Sequence, residues 1–489
     1  MGLATTFSLS YLAWLSLVPL WWGLVRTREQ KDGYALWTSA ALQGALWGLG
    51  YYGLSLHWIV GIHPLTWMGI GWWPSLAIAL GCWLAIAVWG MIFVVSWSWG
   101  LIWCCCWPVR IWWGVTLWCS LEILWSKGVL WWGGLALTQS PSQLPLLQWV
   151  QGSGEITLTA AIVMVNGLWA EALLGEGCSP LKRWGMGFLP LLLIAGLYLG
   201  GNWLYSRPLA DDLKAGIKVG VIQGNIPNEI KLNPQGYRQA IAGYTQGYQS
   251  LVQQGVDAVL TPEGALPYFW EDIVQDSSFY QAVLQYQIPV WLGAYGRQGN
   301  NYTNSLFAIG STGTLESRYD KVKRVPLGEY IPFSRWLSPF IRRLSPLAGE
   351  LAAGDSQQTF VTPFGPAVVS ICYESAFSFY LRQQLQRGGR FILSSANNAH
   401  YSITMPRQHH ALDVLRAIEG DRWLARATNT GYSAFISPKG ETLWLSALNQ
   451  YQIHAAWLYP RNTQTLYHRW GNWLVPVLWA ITLLARARY

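Results

Sequence analysis

A long stretch without charge constrains this chain more than any other feature of its sequence. Residues 34–109 contain no Asp, Glu, Lys or Arg. One membrane-spanning helix needs roughly 20 apolar residues, and this stretch is far longer. Charged residues make up only 11% of the whole chain, and apolar residues make up 52%. We therefore predict an integral membrane protein that carries a polar insert.

Apolar segments predict seven membrane spans. They lie at about residues 8–25, 34–60, 67–107, 111–125, 156–174, 188–204 and 470–484. We interpret the third as one long span, although two spans joined by a tight turn would also fit. Residues 128–149 are apolar but rich in Gly, Pro, Ser and Gln, which indicates a membrane-dipping or interfacial loop. No basic segment precedes the first span, so we expect it to be retained and not cleaved as a signal peptide.

Basic residues set the predicted orientation of these spans. The four basic clusters are residues 26–31, Arg110, Lys182 with Arg183, and Arg486 with Arg488. Alternating spans bring all four to one side, which we predict to be the cytoplasm because cytoplasmic flanks are enriched in Lys and Arg. The net charge of +8 is spread over the flanks and the insert, without a Lys/Arg-rich run with interleaved aromatics. We therefore expect no nucleic-acid partner.

The polar insert alternates between predicted strands and helices. Strands are expected at about residues 217–225, 257–261, 289–295, 304–309, 366–371, 391–395 and 431–436, and helices at 237–254 and 375–386. This alternation is typical of an α/β domain. We predict a membrane domain at 1–204 with about six spans, an extracytoplasmic domain at 205–468 and a C-terminal span at 469–489. Residues 327–354 form a long, Pro-rich segment that indicates a lid.

Cys372 lies where a predicted buried strand turns into a helix, in the segment PAVVSICYES at residues 366–375. Such a turn lifts the thiol out of the sheet and places it near helix N–H groups, which favour the nucleophilic thiolate. The plain alternative is a buried cysteine that packs as a small apolar residue. The other six cysteines lie in or beside apolar spans, where we interpret residues 104–106 as apolar filler in preference to lipidation sites.

Two further polar residues follow strands or turns in the same domain. Glu263 comes after the segment LTP, and Lys321 ends the segment RYDK. A carboxylate can accept the proton of a thiol, and a lysine can stabilise the oxyanion of a tetrahedral intermediate. Each residue alone is weak evidence, since Glu and Lys are usually solvated. Together with Cys372 they predict nucleophilic catalysis.

Other candidate sites are weaker. Glu122 lies near the outer end of the fourth predicted span, where an unpaired carboxylate is costly. It would either pair with Lys127 or face the polar domain or a lipid headgroup. His400, His409 and His410 lack a carboxylate or thiolate at ligand spacing, so we predict no metal site. No cofactor is expected.

These residues and several longer strings resemble a known family. Glu263, Lys321 and Cys372 resemble the Glu-Lys-Cys triad of the nitrilase (carbon–nitrogen hydrolase) superfamily. The strings IQGNIP (222–227), VPLGEY (325–330), ICYE (371–374) and ARATNTG (425–431) are similar to those of the apolipoprotein N-acyltransferase family of the bacterial inner membrane. The resemblance covers nearly the whole chain. The chain departs from the usual residues of the family at 231–232 and 397–401.

The resemblance implies a polytopic α-helical membrane domain joined to a nitrilase-like α-β-β-α sandwich. Glu263 would be the base, Lys321 the oxyanion stabiliser and Cys372 the nucleophile. The residues with supporting roles would be Glu329, Tyr373 and Glu374.

The resemblance also implies the reaction. An acyl chain would pass from a membrane phospholipid to Cys372 as a thioester. It would then pass to the α-amino group of the diacylglyceryl-modified N-terminal cysteine of an apolipoprotein. The partners would be the phospholipid donor, apolipoproteins and membrane lipids. The protein would lie in the bacterial inner membrane, with its catalytic domain on the periplasmic side.

Two alternatives use the same sequence features differently. A membrane-tethered amidase or nitrilase would use the same triad on a small nitrogen compound, with water in place of the amine. A transporter or scaffold would use the insert only for binding. The spans carry almost no internal charge for a solute path, which disfavours the transporter.

Overall fold

The computed structural model describes residues 2, 5, 9–104, 106–175, 180–299, 301–330, 351–399 and 401–488. Residue 8 of the first predicted span, Cys105, Cys178, His400 and residues 331–350 of the predicted lid lie outside them. Contacts divide the chain into two compact units. The first comprises Met1–Pro64, Trp72–Pro208 and Arg469–Tyr489, and the second comprises Leu65–Gly71 and Leu209–His468.

Helices make up the first unit. They are α1 (Val18–Gln30), α2 (Gly33–Ser55), α3 (Trp72–Ile102), α4 (Trp107–Ser126), α5 (Leu144–Leu147), α6 (Val150–Ser153), α7 (Glu155–Leu174), α8 (Pro180–Ser206) and a C-terminal helix (Leu474–Arg488). Short 3₁₀ helices lie at Ser10–Trp14, His57–Ile62 and Leu135–Gln139. The predicted interfacial loop at 128–149 thus contains a 3₁₀ turn and the short α5.

Three helices of the described residues are long and apolar enough to cross a membrane: α3, α7 and Gly187–Ser206 within α8. The long apolar segment at 67–107 contains one continuous helix, α3, and not two helices joined by a turn. The predicted spans at 34–60, 111–125 and 470–484 overlap α2, α4 and the C-terminal helix. The first, predicted at 8–25, instead contains the 3₁₀ helix Ser10–Trp14 and the start of α1, which continues through the predicted basic loop to Gln30. The total of seven spans remains a prediction.

Arg110 does not lie in a loop, as the sequence suggested, but in the first turn of α4, where it is buried. Its Nε and Nη2 atoms donate to the two carboxylate oxygens of Glu171 on α7, at 2.7 and 2.8 Å. The Trp21 indole N–H donates to the same carboxylate at 2.9 Å. Because an isolated buried charge is costly, Arg110 and Glu171 need each other, and their pairing ties α1, α4 and α7 together.

Glu122 is also buried, and neither interpretation from the sequence describes its contacts. Its Oε1 atom accepts a hydrogen bond from Thr159 Oγ1 at 2.7 Å, and its Oε2 atom accepts weaker ones from Trp118 Nε1 and Leu135 N. Glu122 thus links α4 to α7 and to the 3₁₀ turn at Leu135–Gln139, because a carboxylate in an apolar bundle must find donors inside the protein.

The buried ion pair yields a prediction about stability. Arg110→Leu leaves Glu171 as a buried, unpaired carboxylate, which costs about 3–5 kcal/mol. We expect a lower yield and a lower Tm of the detergent-solubilised protein. The control is Arg26→Leu, which breaks an ion pair with Glu29 whose side chains are 39% and 35% exposed. That change costs less than about 1 kcal/mol, and equal Tm values for the two variants would contradict the role of the Arg110 pair.

The second unit contains, among its described residues, two sheets of six strands. The strands are β1 (Ile217–Gln223), β2 (Ala258–Leu260), β3 (Val290–Gln298), β4 (Asn301–Ile309), β5 (Leu315–Asp320), β6 (Phe360–Thr362), β7 (Gly365–Ile371), β8 (Ile392–Ala396), β9 (Leu424–Thr428), β10 (Ala434–Ile436), β11 (Thr442–Leu445) and β12 (Gln452–Leu458). The sheet orders are β12-β1-β2-β3-β4-β5 and β11-β10-β9-β8-β7-β6. The central strands β1–β3 and β7–β9 run parallel, and the outer strands pair antiparallel.

Helices of the second unit are α9 (Asn228–Lys231), α10 (Pro234–Gln253), α11 (Trp270–Asp276), α12 (Ser278–Tyr286), α13 (Ser378–Gln386) and α14 (Thr404–Gly420), and a short helix covers Leu466–Trp470. A core of buried side chains from both sheets, including Val221, Leu260 and Ile371, lies between the two sheets. Alternate residues such as Val259 pack with α10 and α12 on the outer face. The Gln384 side chain bonds to the backbone of β7 and holds α13 on the second sheet. The predicted α-β-β-α sandwich is confirmed.

Candidate active site

Three of the predicted catalytic residues follow the ends of strands and meet in one place. Glu263 comes three residues after β2, Lys321 directly after β5 and Cys372 directly after β7. β2 and β5 belong to the first sheet and β7 to the second, so the site lies where the carboxyl ends of strands from both sheets come together. All three side chains are buried.

Cys372 occupies a backbone conformation that side chains rarely adopt. Its φ angle is +52°, and it begins the 3₁₀ helix Cys372–Ala376. This sharp turn directs the chain out of β7, as the sequence predicted, but into a 3₁₀ turn before α13 begins. The Sγ atom lies 3.8 Å from the carbonyl oxygen of Asn397. Burial, and then the charge of Glu263, raise the pKa of the thiol to about 12, so the resting thiol is protonated.

Glu263 is held by three donors. Its Oε1 atom accepts from Lys321 Nζ at 2.8 Å and from Asn304 Nδ2 at 2.6 Å, and its Oε2 atom accepts from the backbone N–H of Asn397 at 3.0 Å. Burial alone would raise the pKa of this carboxyl, but Lys321 and Lys231 lower it below its ordinary value. Glu263 is therefore ionised and able to accept a proton, and Asn397 contacts both this base and the thiol.

Lys321 bridges two carboxylates. Its Nζ atom lies 2.8 Å from Glu263 Oε1 and 2.8 Å from Glu329 Oε1. The other oxygen of Glu329 accepts from the backbone N–H of Val325 at 2.7 Å, which fixes the turn that carries it. Burial alone would lower the pKa of Lys321, but the two carboxylates raise it well above its ordinary value. Lys321 thus stays charged and can face an oxyanion.

Glu374 lies behind the triad and binds backbone groups. It accepts from the N–H groups of Ile371 at 2.7 Å, Val322 at 2.6 Å and Lys323 at 3.1 Å, and from the Tyr319 hydroxyl at 3.3 Å. Burial raises the pKa of this carboxyl to about 7. Because its donors belong to the chain beside Cys372 and the chain beside Lys321, Glu374 ties the ends of β7 and β5 together.

Tyr373 directly follows Cys372. Its ring packs edge-on against Phe377, with ring centroids 4.9 Å apart. It is only partly buried.

His409, considered above only as a metal ligand, contacts the backbone of Cys372. Its Nε2 atom lies 2.9 Å from the carbonyl oxygen of Cys372, and its Nδ1 atom lies 3.1 Å from Asn398 Nδ2. The carbonyl requires Nε2 to be the donor, so Nδ1 accepts from Asn398. Burial, and then Arg426, lower the pKa of His409 to about 3, which keeps the ring neutral. His410 lies beside Thr442 instead, with Nε2 and Oγ1 3.0 Å apart.

Three further residues belong to this site, and the sequence analysis gave none of them a catalytic role, although 231–232 and 397–401 stood out there as departures from the family. Asn304 on β4 and Asn397 after β8 bind Glu263, and Lys231 on α9 donates to the Glu263 carbonyl at 3.1 Å. Asn397 follows a strand that was predicted, so its position after a buried strand was the available signal. The signal for Lys231 was its departure from the residue usual in the family, whereas Asn304 carries no signal, because a polar residue at its position is usually solvated.

Comparisons with known proteins agree with this fold. Residues 218–453 match the carbon-nitrogen hydrolase family, a range that begins in β1 and ends in β12. Residues 1–168 match the apolipoprotein N-acyltransferase N-terminal domain. The apolipoprotein N-acyltransferase of Synechocystis sp. is 52% identical over 510 residues, covering 99% of this chain and 98% of that protein. The chain belongs to the apolipoprotein N-acyltransferase family.

Two further relatives extend this result. The apolipoprotein N-acyltransferase of Nostoc sp. is 50% identical over 488 residues, covering 99% of this chain and 96% of that protein. The apolipoprotein N-acyltransferase of Gloeobacter violaceus is 37% identical over 498 residues, covering 97% and 88%. The protein is thus an acyltransferase with a nitrilase-like domain, and it acts in the N-acylation of lipoproteins.

The contacts of Glu374 yield a prediction about the site. In Glu374→Gln the amide nitrogen replaces one acceptor oxygen and cannot accept from the backbone N–H groups. Above pH 7, where Glu374 is mostly ionised, losing its hydrogen bonds costs about 1.5–3 kcal/mol, so we expect a lower Tm and less active protein. Glu271→Gln is the control, since Glu271 is 49% exposed and forms a surface ion pair with Arg297. An unchanged Tm for Glu374→Gln would show that the Glu374 hydrogen bonds do not hold the ends of β5 and β7 together.

Proposed function

We propose that the protein transfers an acyl chain from a membrane phospholipid, through a thioester on Cys372, to the α-amino group of a diacylglyceryl-modified N-terminal cysteine of an apolipoprotein. The observation that carries this proposal is the meeting of an ionised Glu263, a charged Lys321 and a protonated Cys372 in one buried site. The site belongs to a chain whose relatives are named for lipoprotein acylation.

The first half-reaction forms the thioester. Glu263 accepts the thiol proton while Sγ of Cys372 attacks the ester carbonyl carbon of the phospholipid. Because the pKa of the thiol is about 12 and that of Glu263 is below its ordinary value, the proton moves as the S–C bond forms. The ammonium of Lys321 stabilises the resulting oxyanion. The ester C–O bond then breaks, and the alkoxide takes the proton from Glu263 and leaves as a lysophospholipid.

The second half-reaction uses the same groups in reverse. The unprotonated α-amine of the lipoprotein attacks the thioester carbonyl carbon, and the oxyanion again faces Lys321. Glu263 accepts a proton from the attacking nitrogen. The C–S bond breaks, and the departing sulfur of Cys372 recovers the proton from Glu263. The products are an amide and the free enzyme, and no cofactor takes part.

The three supporting residues each stabilise a different part of the triad. Glu329 shares the ammonium of Lys321 with Glu263 and so keeps Lys321 oriented. Glu374 holds the backbone on either side of the site. Tyr373 follows the nucleophile, and we propose that its backbone N–H helps to bind the oxyanion together with Lys321.

The membrane domain has a physical reason in this proposal. Both substrates are anchored in a bilayer by acyl chains, so the enzyme must work at a membrane surface. The predicted orientation places the catalytic domain on the periplasmic side of the bacterial inner membrane. The apolar helices keep the enzyme in the bilayer that carries both substrates.

The decisive experiment is intact mass spectrometry of the purified protein incubated with phospholipid. We expect an adduct of fatty-acyl mass that hydroxylamine removes, as a thioester requires. The Cys372→Ser variant should fold, because one atom of a buried side chain changes, yet form no such adduct and show no turnover. The cysteines of the membrane unit, such as Cys82 and Cys119, serve as internal controls for the mapping of the adduct.

The contrary result is equally specific. An active protein that forms no acyl adduct with phospholipid and releases ammonia from small amides would be a membrane-tethered hydrolase. Normal turnover by Cys372→Ser would exclude the thioester mechanism.

Substitutions of Glu329 test whether this residue acts on Lys321 through its charge or by accepting a hydrogen bond that orients the lysine. Glu329→Ala removes one of the two carboxylates on Lys321, so we expect a loss of activity of about 100-fold or more, by analogy with the loss of one oxyanion donor. Membrane insertion should be unchanged, whereas Tm should fall modestly, because the Glu329 side chain is only 12% exposed and also accepts from the Val325 N–H. Glu329→Gln keeps a neutral acceptor for Lys321 and should retain more activity than Glu329→Ala. Unchanged turnover in Glu329→Ala would remove this residue from the mechanism.

A further inference from the structure

Lys231 is a second lysine in the active site, and the mechanism above does not use it. It ends the short helix α9 and is only 7% exposed. Its Nζ atom donates to the backbone carbonyl of Glu263 at 3.1 Å. A Cβ atom built on Gly264 would lie 3.5 Å from this Nζ and 4.0 Å from the Tyr295 hydroxyl. The ammonium therefore lies over the turn that carries the catalytic base.

The charge of Lys231 is only weakly compensated by the protein. Within the described part of the chain, no carboxylate oxygen lies within 4 Å of its Nζ, and the Glu263 carbonyl is its one hydrogen-bond acceptor. Lys321, by contrast, contacts two carboxylates. An ammonium has three N–H donors, and a buried cation without an ion pair is costly. An anionic ligand would supply the missing charge and acceptors.

The same helix approaches the site at a second point. The Asn228 side chain accepts a hydrogen bond from Asn397 Nδ2 at 3.2 Å, and the Asn397 backbone N–H binds Glu263. Both ends of α9 are thus connected to residues that contact the base and the thiol. This connection places the Lys231 ammonium beside the reacting groups and gives it a fixed position there.

The chemistry of the two proposed substrates decides which anion fits. The phospholipid donor carries a phosphodiester only a few bonds from its reacting ester. The reacting group of the acceptor is an amine, which a lysine ammonium does not attract. A lysine binds phosphate as a point charge through its N–H donors. The phosphodiester is therefore the anion that reaches this position when the ester carbonyl is at Cys372.

We propose that Lys231 forms an anion subsite that binds the phosphodiester of the phospholipid donor during the first half-reaction. This inference rests on the proposed function. It makes Lys231 a specificity residue, which selects phospholipids over neutral lipids that carry the same acyl esters.

The pKa of Lys231 supports this role. Burial lowers it to about 8, while Glu263 and Cys372 oppose the shift. The titratable groups that face Lys231 are Glu263 after β2, Cys372 after β7 and Tyr295 on β3, with Lys321 and Glu329 beyond Glu263. The ammonium is thus largely present at neutral pH and is lost as the pH rises through about 8.

The test compares two acyl donors with the same chains: a phospholipid and a diacylglycerol, each in detergent micelles. The rate of Cys372 acylation is followed by intact mass. We expect Lys231→Met to lower acylation by the phospholipid about 10- to 100-fold, as the loss of one charge-assisted hydrogen bond implies. Because Lys231 also lowers the pKa of Glu263, acylation by diacylglycerol should fall too, but by a clearly smaller factor than acylation by the phospholipid. Lys231→Arg should retain most of the phospholipid activity, and Lys214→Met, an exposed lysine of the same unit, is the control.

The wild-type protein offers a second measurement that needs no variant. Its acylation efficiency with phospholipid should fall as the pH rises through about 8, because the neutral lysine no longer attracts the phosphate. Its efficiency with diacylglycerol should fall by a clearly smaller factor. If deprotonation of the thiol limited the rate, the acylation efficiency would instead rise with pH.

Three results would overturn the inference. These are an equal loss with both donors in Lys231→Met, no loss with phospholipid, or the same pH dependence for both donors. An adduct that forms equally well in Lys231→Met refutes only the anion subsite. Absence of any phospholipid adduct in the wild-type protein refutes the proposed function as well, so the two failures are distinguishable.

Discussion

A buried ammonium between two carboxylates holds the active site together. Lys321 contacts Glu263 and Glu329 at 2.8 Å each, and Asn304 donates to both carboxylates. Without Lys321 the two carboxylates would repel each other in a buried site, and one of them would take up a proton. The lysine keeps Glu263 ionised and thus basic, while the carboxylates keep the lysine charged. The same ion cluster therefore holds an ionised carboxylate and a positive charge together, which are the two groups that the proposed mechanism needs.

The geometry around this cluster depends on backbone contacts between strands of different sheets. Glu374 joins the end of β7 to the end of β5, and the Asn397 backbone joins the base to the thiol. Cys372 has a positive φ angle, which is a strained conformation, and the hydrogen bond that His409 donates to its carbonyl helps to hold it. These contacts leave little freedom for the three reacting groups. Such rigidity suits the proposed reaction, in which the thiol loses its proton only as the new bond forms.

Several features were predictable because they depend on short stretches of chain. The buried strand before Cys372 and the turn after it were visible in PAVVSICYES, and the alternation of strands and helices indicated the α/β class. Strand β5, which carries Lys321, was not predicted, because only Tyr319 among its residues is buried and its apolar pattern is weak. Arg110 was wrongly assigned to a loop, since a charge in an apolar sequence looks like the end of a span. Its partner Glu171 lies far along the chain, and only packing of α4 against α7 shows the pair.

The sequence by itself determined the membrane character of the chain, the class of its polar domain and the chemical types of its triad. Local composition and short motifs are sufficient for these, because hydropathy and strand ends are properties of neighbouring residues. Only the tertiary structure decided which polar residues meet. It brought Glu263, Lys321 and Cys372 into one buried cluster, and it placed Lys231 beside them without a carboxylate partner among the described residues. A charged residue needs a specific partner only when burial removes it from water, and burial is a property of the folded chain.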